Sequence, residues 1–143
     1  MKRLLPLLAV VLSCFSCQTD TAVPFSIAKN YFVRSDSDVS ESVKITDQAA
    51  FEDLFGMATF MGKDGQPTPI DWSKEFVIAV IKPVTDAETE LKPLSLTKKG
   101  KSLVLSYSLK TGPSMSYTIR PFFLIVVDKQ WADLPVVPDE QKE

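Results

Sequence analysis

The sequence predicts an α+β domain: one short helix packed on a mostly antiparallel, curled sheet of about six strands. Three observations carry that prediction. A single stretch, Ala50, Phe51, Leu54 and Phe55, places its apolar residues at helical spacing. Two runs, Phe76 to Ile81 (FVIAVI) and Phe122 to Val127 (FFLIVV), are apolar at every position, as strands covered on both faces must be. The connections between the remaining short elements are too brief for parallel crossovers.

Taken in order, Ala28 to Val33 reads as the first strand, with Tyr31 and Val33 on one side. Arg34 to Ser42 (RSDSDVSES) is a polar acidic loop. The helix then opens at Ile45-Thr46-Asp47. Thr46 or Asp47 can cap, an acid suits the positive end of the helix dipole, and Ile45 can act as half of a hydrophobic staple. Gly56 ends the pattern. Gly62 to Pro69 (GKDGQPTP) is a loop by its glycines and prolines. It lacks the D-x-[DN]-x-[DN]-G spacing of a calcium loop. Ile70 to Ser73 turns into the central strand, with Trp72 packing on the domain edge.

Glu90 to Leu96 is a weaker strand that Pro93 assigns to an edge. Leu96 to Ser102 (LTKKGKS) is a hairpin turn with Gly100 free to adopt positive φ. Leu103 to Leu109 alternates strictly, Leu103, Leu105, Tyr107 and Leu109 inward, Ser106 and Ser108 outward. Lys110 to Ser114 (KTGPS) reads as another turn. Tyr117 to Arg120 starts a strand that Pro121 interrupts before Phe122. The organisation is thus a segment 1–13, a tether 14–25, one domain 26–134 and a frayed tail 135–143.

Bulk composition narrows the function. Hydrophobic residues make up 45% and charged residues 24%, enough for a core and against disorder. Removing Lys2 and Arg3 takes the net charge from −2 to −4, which disfavours nucleic acid as a partner. Lys98, Lys99 and Lys101 around Gly100 read as a solvated hairpin tip. There is no histidine, so the commonest general base and the commonest zinc ligand are both missing.

The N-terminus carries the clearest address. Lys2 and Arg3, an apolar run from Leu4 to Leu12 and then small residues form the plan of an export signal. The run is shorter than the ~20 residues that span a bilayer as a helix. Val11-Leu12-Ser13-Cys14 resembles the lipobox of bacterial lipoproteins. That resemblance implies cleavage before Cys14, a diacylglyceryl thioether on its sulfur and acylation of the new N-terminus. Cys17, after Ser16, is the second choice. Several acyl chains, at ~0.8 kcal/mol per buried methylene, anchor a small domain durably. As C-x-x-C the pair lacks the βαβ context of a redox motif, and as a metal site it supplies only two ligands. The expected location is the cell envelope, on a bacterial membrane, with the outer membrane favoured. The domain itself then has no cysteine and holds by packing alone.

No catalytic set is present: no G-x-S-x-G, no H-E-x-x-H, no P-loop. Asp86, Glu88 and Glu90 share one side of an extended segment, where acids are ordinarily solvated. Arg120, beside Pro121 and a doubly buried strand, offers a planar fork for a carboxylate or phosphate, or for one of those acids. Tyr107, Tyr117 and Arg120 form the candidate binding surface. No catalytic residue, metal site or cofactor is expected.

The order of segments resembles the C-terminal domain of the bacterial protease-complex subunit PrcB. The matching residues are Ile45-Thr46 through Phe51 and Leu54, Ile70 to Ser73 through Phe76 to Val80, and Tyr117 through Pro121 to Val127. The T-G-G-Y-like stretch of that family is absent from Val84 to Glu90. The resemblance implies an envelope lipoprotein that binds or stabilises another protein, such as an envelope protease, without catalytic residues. The reading of a different class is a small-molecule binder or weak hydrolase, with a pocket lined by Phe122, Phe123 and Tyr117.

Overall fold

In the computed structural model, residues 19–34 and 41–143 are described. The two all-apolar runs become β6 (Glu75–Ile81) and β9 (Phe122–Asp128), antiparallel neighbours with Ile78 opposite Ile125. They are the middle of a four-stranded sheet flanked by β2 (Phe25–Ala28) and β4 (Glu41–Ile45). Phe76 to Ile81 and Leu124 to Val127 are buried along their whole length. Two apolar faces need two covers, and the fold supplies both.

One face, with Phe76, Ile78, Val80, Phe123, Ile125 and Val127, meets Leu96, Leu103, Leu105 and Tyr107 of a second sheet. That sheet runs β1 (Thr21–Ala22), β7 (Thr85–Lys99), β8 (Ser102–Ile119), β10 (Val136–Lys142). The other face, with Val77, Ala79, Ile81, Leu124 and Val126, packs on Phe51 of helix α1 (Gln48–Leu54) and on Phe55. Phe55 opens β5 (Phe55–Met57), which pairs with β3 (Tyr31–Val33) in a two-stranded sheet. The single curled sheet expected from the sequence is therefore three sheets, and none of them closes. Cover comes from folding over: β6 passes into β7, and β8 into β9, through bends at Pro83 and Pro121. Proline cannot donate to a ladder, so both strands leave the first sheet at the same level. The Lys82 N–H bonds the Pro121 carbonyl across the bend at 2.8 Å.

Helix α1 starts as its sequence requires. The Asp47 carboxylate caps it by accepting from the Ala50 N–H at 2.9 Å. It ends one residue before the expected stop at Gly56, because the Phe55 backbone is already extended and turns into β5.

Several boundaries differ from expectation. The first strand is two strands, broken at Asn30, whose φ of 65° puts it in the left-handed region. Glu41 and Ser42 belong to β4, not to the acidic loop. The weak strand at Glu90 is the middle of β7, and KTGPS lies inside β8 with its partners displaced by register shifts at Ala87 and Thr89. Gly112 and Pro113 have turn chemistry, yet here they serve as a bulge in a long ladder. Ser108 is buried, because β8 is flanked by β7 at Lys92 and by β10 at Gln141.

The tail is not frayed. Val136–Lys142 pairs in parallel with Leu103–Leu109 as the sheet's edge. Its inward Glu140 finds partners that a polar sequence does not advertise. Thr21 to Phe25, assigned to the tether, is part of the domain: β1 pairs with Thr97 and Lys98, and Val23 is buried. The segment 1–13, Cys14 and Cys17 lie outside the described residues.

Candidate functional site

The corner at Asn30 supports one wall of a concavity. Its left-handed backbone carries the chain from β2 in the central sheet to β3 in the two-stranded sheet, and its side-chain amide donates to the carbonyls of Asp64 (2.7 Å) and Gln66 (2.8 Å). The Ala58 N–H returns to the Asn30 carbonyl at 2.9 Å. Thr68 brackets Lys29, its Oγ1 accepting from the Lys29 N–H and its N–H donating to the Lys29 carbonyl. The Tyr31 hydroxyl donates to the Thr68 carbonyl at 2.6 Å. Burial raises the Tyr31 phenol above its ordinary pKa, so it stays a neutral donor. These bonds hold the segment from Ala58 to Pro69 against β3.

Between that segment, α1 and β5 lies a cavity of about 630 Å³. Its aromatic wall is a chain of touching rings. Phe51 meets Tyr31 edge-on at 5.1 Å and Trp72 at a tilt of 51° and 5.4 Å. Phe55, Met57, Pro67, Pro69 and Ile70 complete the apolar lining. Arg34, Gln48, Glu52 and Gln66 supply its polar groups. The Arg34 Nε donates to the Glu52 carbonyl at 2.7 Å, and the Gln48 amide donates to the Glu52 carboxylate at 2.7 Å. The lining thus presents rings, a thioether, a guanidinium and a carboxylate. Among the described residues that line it, none is Ser, Cys, His or Lys. Such a wall favours an apolar group with a polar end.

The chain continues from this wall into exposed apolar residues. Met57 is 69% exposed, Phe60 56% and Met61 fully so. Phe32 lies across Gly56, where a Cβ would come within 2.3 Å of its ring. Methionine and phenylalanine side by side in solvent are adaptable contact material.

The residues singled out from the sequence do not assemble there. Tyr107 is in the core, not on a surface; its ring packs on Phe123 at 5.6 Å. Its hydroxyl accepts from Lys82 (3.0 Å) and donates to Glu140 (3.1 Å), which explains how a phenol can be buried. Tyr117 is exposed near the far end of β8, and Arg120 is half-buried at the bend before Pro121. Phe122 and Phe123 point to opposite faces of β9, Phe122 toward Phe55 and Phe123 toward Tyr107. They cannot line one pocket. Asp86, Glu88 and Glu90 do share the outward face of β7. Glu90 pairs with Lys92 at 2.5 Å, and the hydrogen bond from that ammonium lowers its pKa. Asp71, beside the cavity, is also held below the usual carboxylate range, by the hydroxyl and N–H of Ser73.

Among the described residues no group of three His, Cys, Asp or Glu is placed to hold a metal ion, and no helix is long and apolar enough to cross a membrane. No family model, curated protein or solved structure matches the chain.

Proposed function

We propose that the chain is an exported lipoprotein of the bacterial cell envelope whose domain binds or stabilises another protein without catalysing a reaction. An acylated cysteine, Cys14 or Cys17, would tether it to the membrane. The partner suggested by the resemblance to PrcB is an envelope protease. The supporting observation is the exposed cluster of Phe32, Met57, Phe60 and Met61 continuing from an aromatic cavity. A partner can seat one anchor side chain in such a cavity and cover the surrounding apolar residues, the pattern of interface hot spots.

Crosslinking in the native envelope followed by mass spectrometry tests this reading. Wild type should trap a defined protein, and Met61→Asp with Phe60→Ser should lose it. Equal yields from both would defeat the proposal. Metabolic labelling with a clickable palmitate tests the anchor separately, on wild type and on Cys14→Ser and Cys17→Ser singly and together. Label should enter the wild type and vanish from the double variant.

A second reading is favoured by the cavity itself, whose volume of about 630 Å³ lies within the ~300–1,000 Å³ of small-molecule sites. On that reading a small apolar ligand with a polar end occupies it. Native mass spectrometry of the purified chain should then show a bound mass that Trp72→Ala removes.

A further inference from the structure

We propose that the outer edge of β7 receives an extended, basic segment of a partner polypeptide as an added strand. This edge lies in the sheet on the opposite side of β6 and β9 from the α1 cavity, so it stands independently of the reading above.

Three observations carry it. The first is an open edge. On one side β7 is paired with β8 from Thr85 to Lys99. On the other, β1 reaches only Lys98 and Thr97, and the Val23 N–H takes the Leu96 carbonyl before the chain turns into the core. From Thr85 to Ser95 no strand lies on that side among the described residues. An uncovered edge is a template for strand addition.

The second is the outward face. Val84, Asp86, Glu88, Glu90, Lys92 and Leu94 alternate with half-buried residues, and all six are exposed. Acids occupy the centre and aliphatic residues the two ends. Glu90 is already met by Lys92 and sits opposite Lys110. Among the described residues no ion pair reaches Asp86 or Glu88. Side chains on an adjacent strand stand ~4.5–5.5 Å away, where opposite charges stabilise and like charges repel. The fitting occupant therefore has Lys or Arg at alternate positions, with apolar residues toward its ends. A second copy of β7 laid antiparallel, Val84 against Leu94, would set Asp86 against Lys92 but Glu88 against Glu90, whereas a basic strand meets all three acids with opposite charge.

The third is how the edge is kept in the meantime. The Ala87 N–H donates to Thr85 Oγ1 and its carbonyl accepts from Thr89 Oγ1, both at 3.0 Å. These threonine hydroxyls hold groups that an arriving strand would take over.

The test uses the full chain and two labelled peptides of roughly eleven residues, enough to span the edge. One alternates Val and Lys, the other Val and Glu. Fluorescence anisotropy at low salt should show the Lys peptide binding at least ~10-fold more tightly. Amide exchange should slow at 85–95 and not around the cavity. Ala87→Pro removes an N–H already engaged by a side chain, and Asp86→Lys with Glu88→Lys reverses the charge. Each should weaken the Lys peptide ~10-fold or more at an unchanged thermal midpoint. If Ala87→Pro fails to fold, the charge-reversal variant decides alone. Equal affinity for the two peptides, no binding of either, protection elsewhere, wild-type binding by the charge-reversal variant, or a dimer built on this edge would each overturn the proposal.

Discussion

Lys82 and Glu140 form an ion pair that joins the bend between β6 and β7 to the C-terminal strand β10. The side chains are 11% and 23% exposed, and the Tyr107 hydroxyl bridges them. The Lys82 ammonium also lies 5.2 Å from the Tyr107 ring centroid. A charge this enclosed needs its partners, because the interior does not solvate it.

The pair makes stability depend on pH in a defined direction. The hydrogen bond from Lys82 holds the Glu140 carboxyl below its ordinary value, against some burial. A depressed carboxylate stabilises the fold above its unfolded pKa, ~4.3, and that contribution is lost as pH falls through the lower folded value. Burial opposes the charge on Lys82, but the bonds to Glu140 and Tyr107 outweigh it and raise the pKa. Its contribution is full below ~10.4 and is lost only as pH rises through the folded value. Denaturant titrations from pH 7 to pH 2 should show wild type losing stability in the acid limb. Glu140→Gln should start ~1–2 kcal/mol lower at pH 7 and show a flatter acid limb.

Gly56, in the cavity lining, and Gly65, in the loop next to the lining residue Gln66, should respond differently to alanine. A Cβ on Gly65 would lie 1.8 Å from the Phe60 carbonyl oxygen, a main-chain atom of a residue whose N–H is itself tied to the Gly65 carbonyl at 3.0 Å. That clash is relieved only by rebuilding the loop, at a cost of ~2 kcal/mol or more. At Gly56 the obstacle is the tip of the Phe32 ring, which is 45% exposed and free to swing outward. Gly56→Ala should therefore cost under ~1 kcal/mol while moving Phe32 away from the apolar cluster. Thermal unfolding of the two variants separates these outcomes.

Asp47→Ala should destabilise the chain by ~1 kcal/mol, and Asp47→Asn by less, because the amide oxygen can still accept from the Ala50 N–H. Helix α1 carries Gln48, Phe51 and Glu52 into the cavity lining, so the loss should also appear as faster amide exchange there.

How legible these features were depended on range. β6 and β9 could be read because every residue is apolar, a pattern set by burial on both faces. The cap at Asp47 could be read because capping is local. The length of β7 and β8 could not: Gly112-Pro113 looks like a turn until a partner strand is known, and cross-strand pairing overrides local chemistry. The tail Val136–Lys142 is polar because it is an edge, and its one enclosed acid answers a lysine far away in the chain. Alternation placed Tyr107 inward with Leu103 and Leu105, and its hydroxyl made a surface role attractive. Inside, that hydroxyl bonds Lys82 and Glu140. The cavity draws on β3, α1, β5 and the segment after it, so no single window contains it. The run Met57 to Met61 was the available signal: apolar residues directly before a glycine-rich loop.

Asn30 offers the sharpest separation of backbone from side-chain effects. Its amide gives two hydrogen bonds to the Ala58–Pro69 segment, and its φ of 65° is one that most residues resist. Asn30→Gly keeps the conformation and loses the bonds, at ~1 kcal/mol each. Asn30→Ala loses the same bonds and adds ~1 kcal/mol for the left-handed backbone. Alanine should thus be the less stable variant, by an amount that measures the corner alone. In both variants amide exchange should quicken across 58–69, where the lost bonds acted, while β6 and β9 keep their protection. Uniform loss across the whole chain would mean that the corner holds up the central sheet as well as the cavity.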